Sequence, residues 1–330
     1  MISSIKDLEV WTDENHCLAA VQRDGLNIKF VKHQTEEICM EAVIENGNAL
    51  QYVRDQTHEI CMAAVFQDGE ALRYVRNQTR PICMEAVKQR GSALRYVIDQ
   101  DEQICMTAVR EDAMALEFVR RQTEGVCLEA VKQDGNVIHF VLDQTEPVCM
   151  AAVKENGYAL QFVHEQTSQI CMAAITQCGN ALQYVREQTE AICLQAVKQS
   201  GTALLDVQEQ TEPICLQAVK QDGMTLQYVR KQTEPICLQA VKQNGKALQY
   251  VRKQTESLCM EAVKQNGSAL QYVTNQTEEI CRTAMRERGD VDVLRFVDKE
   301  FWHIFHQDLN SGYRPGLEQG PGGRRKPRCQ

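Results

Sequence analysis

Thr233 to Gln254 reads TEPICLQAVKQNGKALQYVRKQ, and near-copies of these 22 residues stand on either side, at Thr211–Gln232 and Thr255–Gln276. One cysteine marks each copy: Cys17 through Cys281 occupy thirteen equally spaced positions, and no insertion breaks the phase until just after Gly289. A short fixed period means units that cannot bury an apolar face alone and stack on their neighbours to do so. The expected fold is all-α: an α-solenoid of thirteen short helix-turn-helix repeats, curved or superhelical, with terminal capping segments.

Each repeat opens on a helix-capping residue, Thr in eleven cases (Thr35 through Thr277) and Asp in two, Asp13 and Asp101. The side-chain oxygen accepts from unpaired first-turn N–H groups, and the acidic residue that follows, as in Glu146, Glu190 and Glu234, suits the positive helix end. Pro81, Pro147, Pro213 and Pro235 all fall two residues after the Thr, where a missing N–H costs little. The helix runs on through Ile-Cys-Met/Leu, Ala-Val and a basic residue such as Lys132, Lys198 or Lys242, then meets Gly in twelve of thirteen repeats. That Gly is expected just past the helix end, with a positive φ that costs glycine little. A second segment, Ala-Leu-x-Tyr-Val-Arg, has apolar residues at i, i+1, i+3 and i+4, one face of a short helix. Ile236, Cys237, Leu238, Ala240 and Val241 span an arc too broad for one helix–helix seam, so each first helix needs neighbours on several sides. One repeat carries Asp101 and Ala113 instead of Thr and Gly; a local irregularity is expected there, because Ala resists a left-handed turn.

The expected organisation is an N-terminal cap over 1–12, the repeat array over 13–297, a C-terminal capping helix over 298–311, and a basic Gly/Pro-rich disordered tail over 312–330. Ile2, Ile5, Leu8, Val10 and Trp11 supply the first cap, and Phe301, Trp302, Ile304, Phe305 and Leu309 the second, after a two-residue slip near Asp290–Asp292. The chain has a net charge of -9, although Arg314, Arg324, Arg325, Lys326 and Arg328 make the tail basic. The acidic body disfavours sequence-blind nucleic-acid binding, leaving the tail as the one expected route to nucleic acid. No run approaches the ~18 apolar residues of a membrane span, and the first eleven residues lack a secretory pattern. The chain is expected to be soluble and cytoplasmic, with reduced thiols.

The runs Ala-Leu-Gln-Tyr-Val, Gln-Thr-Glu-x-Ile-Cys and Ala-Val-Lys-Gln-Asn/Asp-Gly resemble a tandem 22-residue repeat family of unknown function. That family is frequent in giant DNA viruses of protists and occurs in some bacteria and unicellular eukaryotes. The resemblance covers nearly all of Asp13 to Val297 and implies tandem helical repeats, with no established reaction, cofactor or catalytic residue.

Several features could carry chemistry. The cysteine ladder offers thiolates for a metal, but each lies between apolar residues without a CxxC pair and reads as a small buried hydrophobe. Cys178 and Cys329 lie off the ladder and are the candidate reactive thiols, although incidental exposure accounts for both more simply. The row Phe30, Tyr52, Tyr74, Tyr96, Phe118, Phe140, Phe162, Tyr184, Tyr228, Tyr250, Tyr272 and Phe296 could stack bases, although its apolar phase fits packing between repeats. Asp206 breaks the row: with Leu205 it is a candidate partner-binding notch, the alternative being simply a degenerate repeat. Lys32, Arg54, Arg76, Arg120, Arg186, Arg230 and Arg252 form a candidate exposed basic row that could equally stabilise helix ends. His303 and His306, with Glu300 and Asp308, are too few for an assured metal site. No compact glycine loop and no nucleophile–base constellation stands apart from the repeat, so no catalytic residue, cofactor or metal is expected. The expected function is a non-enzymatic protein–protein interaction scaffold or adaptor, with a protein as partner. The alternatives are a nucleic-acid-binding helical repeat protein and a structural or assembly component of a virus-like particle.

Overall fold

The computed structural model describes residues 11–288 and 291–302. Among them, thirteen α-helices of ten or eleven residues, from Glu14–Arg23 to Glu278–Arg288, alternate with thirteen six-residue 3-10 helices, from Gly25–Phe30 to Val291–Phe296, and no strand occurs. The chain is an all-α solenoid of 22-residue repeats that fall into two compact units, divided between Gln177 and Cys178. Within each unit an α-helix packs on the next α-helix and on the 3-10 helix that precedes it. The core is the same four positions of each α-helix from Glu36–Glu45 to Glu256–Gln265, for example Ile236, Cys237, Ala240 and Val241, with Ala247, Leu248 and Val251 from the short helix and its end, while the first α-helix buries only Cys17 and Val21. Leu238, the remaining residue of the expected arc, is only half-buried.

The capping residues act as the pattern predicts in most repeats. Thr35 Oγ1 accepts from Ile38 N (3.4 Å) and Asp101 Oδ1 from Ile104 N (2.8 Å). The four repeats with proline differ: Thr79, Thr145, Thr211 and Thr233 make no such bond. In three of them the hydroxyl instead donates to the first-turn glutamate of the preceding repeat, as from Thr233 to Glu212 (2.8 Å). Thr79 finds His58 at that place, and its buried hydroxyl has no hydrogen-bond partner.

The glycine does a different job from the expected one. It opens the short helix rather than closing the long one, and the turn is made by the residue before it in extended conformation, Asn244 at φ -148°, ψ 109°. No left-handed residue is needed. What the position requires is room, since a Cβ on Gly69 would stand 2.5 Å from the Ala86 carbonyl oxygen of the next repeat and one on Gly47 2.6 Å from that of Ala64. Because no left-handed conformation is needed, the irregularity expected at Ala113 does not arise, and the backbone there accommodates the Ala113 Cβ without a change of turn. Asp112 (φ -150°, ψ 112°) leads into Ala113–Phe118 as Asp134 (φ -142°, ψ 109°) leads into Gly135–Phe140.

The second segment is helical but wound as a 3-10 helix, in which residues three apart stack. Leu248 then lies under Val251 and Ala247 under Tyr250, so six residues suffice to bury the apolar set. Its start is capped by the Asp or Asn before the glycine, as when Asn244 Oδ1 accepts from Lys246 N (3.0 Å).

At the first repeat, Trp11 lies 5.2 Å from the Phe30 ring and its carbonyl accepts from Lys32 N (3.3 Å). At the last, Trp302 Nε1 donates to Val297 O (2.9 Å) beside the short turn Lys299–Phe301. The remaining expected cap residues, His303, His306, Cys329 and the tail lie outside the described residues, as do residues 289–290 within the expected slip.

Because room and not φ governs the glycine, Gly69→Ala should destabilise by about 1–3 kcal/mol, the cost of overpacking. Gly125 is a helical glycine whose Cβ would meet nothing nearer than 3.8 Å, so Gly125→Ala should be neutral or stabilising. Denaturant midpoints of the two variants check this pair of signs.

Candidate functional site

The polar side chains that recur in every repeat face the neighbouring repeat's backbone. Gln232 shows the pattern. Its Nε2 donates to Leu226 O in its own repeat (3.4 Å) and to Tyr250 O in the next (2.9 Å), while its Oε1 accepts from Arg252 N (3.0 Å). Gln56 and Gln210 make the same three bonds. At the end of the array the register changes as the slip predicts: Gln276 reaches Phe296 O and Asp298 N, each two residues further on. In some repeats a second glutamine, at Gln67, Gln177, Gln221, Gln243 and Gln265, accepts from the orphan glycine N–H of the preceding repeat, as Gln243 Oε1 does from Gly223 N (2.7 Å). Neither glutamine position is among the candidate functional residues that the repeat pattern singled out. The signal was present, since one uncharged amide ends every repeat from Gln34 to Gln276.

The basic row is exposed but occupied. Arg76 Nη1 donates to Arg54 O (2.7 Å) and its Nη2 to Val53 O (3.3 Å). Arg230 reaches Gln208 O and Val207 O, and Arg252 reaches Arg230 O and Val229 O. Arg54 and Arg120 each hold one such carbonyl. These guanidinium groups also roof the valine beneath them. Val53, Val97, Val207 and Val229 are fully covered, whereas Val251 and Val273, followed by Thr274 and Asp298 in the roofing position, are 7% and 8% exposed. Lys32 and Arg186 complete the row on the surface.

The aromatic row is half-buried along one face. Its main chain accepts from the glutamine ladder, so the ring itself is dispensable to the ladder: Asp206 O receives Gln188 Nε2 at 2.8 Å like any other member. The Asp206 side chain is half-buried, and burial raises its carboxyl above the usual carboxylate range. Leu205 beside it is 54% exposed.

Five stretches, residues 35–80, 57–100, 79–122, 146–190 and 212–255, match the family described as "Domain of unknown function (DUF4116)". Each match is 44 to 46 residues long and so spans two repeats, and together they cover more than half of the chain. The chain belongs to the DUF4116 family. No curated protein matches it.

The DUF4116 repeat keeps its thiol out of reach. All thirteen ladder cysteines are buried, and none forms a disulfide. The Sγ of Cys237 points to the ladder amide, 3.8 Å from Gln232 Oε1. Burial, then the nearby carboxylates Asp55 and Glu36, push the Cys39 thiol up to about 11. Burial raises Cys105 and Cys281 to about 11 as well. Cys178 is half-exposed. Among the described residues no three His, Cys, Asp or Glu side chains are grouped to hold a metal ion.

Two outcomes follow from this geometry. Gln232→Leu strands two carbonyls and one N–H and should cost about 2–4 kcal/mol, read as a lower denaturation midpoint. The thiols ionise more readily unfolded, near 9, than folded at about 11, so their contribution is complete below pH 9 and lost as pH rises toward 11. Midpoints measured across pH 8 to 11 should fall by more than in a variant with Cys39, Cys105 and Cys281 replaced by Ala, each protein referenced to its own midpoint at pH 8.

Proposed function

We propose that the chain is a non-enzymatic protein–protein interaction scaffold or adaptor. The observation that carries this reading is the placement of large apolar side chains on the surface at positions where sister repeats carry cations. Ile44 and Phe66, in consecutive repeats, occupy the helix position held by Lys88, Lys132 and Lys154, and Phe66 is 66% exposed. Half-buried Met40 and Met62 lie on the same two helices. Ile98 and Leu142 replace arginine in the roofing row, and Leu142 is 77% exposed.

Their side chains add nothing to the ladder, which Ile98 and Leu142 join only through their backbone N–H, and expose apolar surface to water, a combination that protein recognition explains. The recurring polar groups meanwhile serve the stacking of repeats, and the ladder thiols are buried. An open depression lined by Lys154, Ser168, Gln169, Met172, Ala173, Thr176 and Gln177 offers mainly apolar surface. No described helix is long and apolar enough to cross a membrane.

Replacing Ile44 and Phe66 together by Lys restores the common repeat pattern and should leave helicity and midpoint unchanged. Cross-linking mass spectrometry on full-length wild type and this variant should then differ by the loss of partners cross-linked near residues 40–66. Identical cross-linked partner sets would remove the reading.

A further inference from the structure

Cations already sit on the aromatic row within the chain itself. Lys29 Nζ lies 4.8 Å from the centre of the Phe30 ring, and the Arg73 guanidinium 4.7 Å from that of Tyr74. Arg95 lies between two consecutive rings, 5.8 Å from Tyr96 and 4.6 Å from Phe118. All three come from the position just before a ring. In later repeats that position is Gln227, Gln249 and Gln271, whose amides turn back to the carbonyls of Met224, Lys246 and Ser268 (3.2, 3.0 and 3.0 Å). Among the described residues no cation lies over the rings of Tyr228 and Tyr250.

One repeat departs further. In Thr189–Gln210 the residue before the ring is the exposed Leu205, and the ring itself is replaced by Asp206. The Asp206 carboxylate meets no donor and no cation among the described residues, while its backbone stays in the ladder. The repeat that follows presents Tyr228. Arg230 does not fill the space, because its guanidinium is turned onto the carbonyls of Gln208 and Val207 (2.7 and 3.0 Å). The same arrangement exists with a cation present: Arg76 makes the equivalent carbonyl bonds while Arg73, three residues before it, stacks on Tyr74.

We propose that Asp206, Leu205 and Tyr228 form a seat for one arginine side chain of a protein partner. The guanidinium would lie between carboxylate and ring, as Arg95 lies between two rings within the chain, with its aliphatic stem along Leu205. The seat rests on the scaffold reading and names the chemistry of one contact. The partner supplies at Leu205 the cation that Arg73 and Arg95 supply in their own repeats. Burial of Asp206, which makes an unpartnered carboxylate costly, favours occupation.

The probe is the capped dipeptide acetyl-Leu-Arg-amide, titrated into the full-length chain carrying 3-fluorotyrosine, with the Tyr228 fluorine resonance assigned through Tyr228→Phe. That resonance should shift saturably with acetyl-Leu-Arg-amide and not with acetyl-Leu-Gln-amide. Asp206→Asn should weaken binding roughly five- to tenfold. Leu205→Arg, which installs the cation in place, should abolish it. Equal binding by these variants or by the glutamine dipeptide overturns the proposal. So does binding that appears only when Arg324, Arg325, Lys326 and Arg328 are replaced by Ser, which would give the seat to the chain's own tail. An oligouridine that shifts the resonance independently of Asp206 would likewise replace the proposal with base stacking. Failure here leaves the scaffold reading standing if Ile44 and Phe66 still determine partners, so the two can fail separately.

Discussion

A carboxamide that reaches across from one repeat to the next is the constraint on which the rest of the molecule depends. A ten-residue helix, a six-residue 3-10 helix and an extended link leave carbonyls and an N–H unpaired where repeats meet, and each buried orphan costs about 1–3 kcal/mol. A carboxylate at Gln232 could only accept and an ammonium could only donate. The amide does both, satisfying Leu226 and Tyr250 carbonyls while accepting from Arg252. The neighbouring requirements follow from it. The cysteine presents its Sγ to the same amide oxygen, and the glycine lets the next helix come close enough for the bonds to close.

This economy reassigns side chains that would pass for functional ones elsewhere. A row of arginines usually suggests an anionic partner, yet Arg76, Arg230 and Arg252 spend their guanidinium donors on carbonyls of the preceding repeat and shelter a valine. A ladder of thiols suggests metal or redox chemistry, yet these are buried and resist ionisation. The departures from the repeat on which the proposed scaffold reading rests are of another kind: Ile44, Phe66, Ile98, Leu142 and the pair Leu205–Asp206.

The architecture was legible because the period is an arithmetic property of the chain: thirteen cysteines 22 residues apart admit no other reading than stacked copies. Capping threonines were legible for a local reason, since an N-cap bonds within four residues. The glycine was misread because a helix-ending glycine and a glycine needed for close approach look identical in one dimension. Only the Ala86 carbonyl, seventeen residues beyond Gly69, distinguishes them. The second segment was read as helical without its winding, as its apolar spacing suits either kind of helix. The notch at Asp206 was visible as a broken pattern, whereas the cations on neighbouring rings, which give the break its meaning, required the positions of Arg95 and Phe118.

The bonds between repeats also have a short reach along the chain. From the Gln232 amide to its furthest partner, Arg252 N, is twenty residues, and the arginine roof spans little more, from Arg252 back to Val229. Duplication or loss of a whole 22-residue unit therefore recreates every junction it breaks, whereas an insertion of another length has to be absorbed before the next ladder partner, as it is where Gln276 reaches Phe296 O and Asp298 N two residues further on. Such a gene can lengthen or shorten by unequal recombination without passing through a misfolded intermediate, and each new segment leaving the ribosome finds its docking surface already finished.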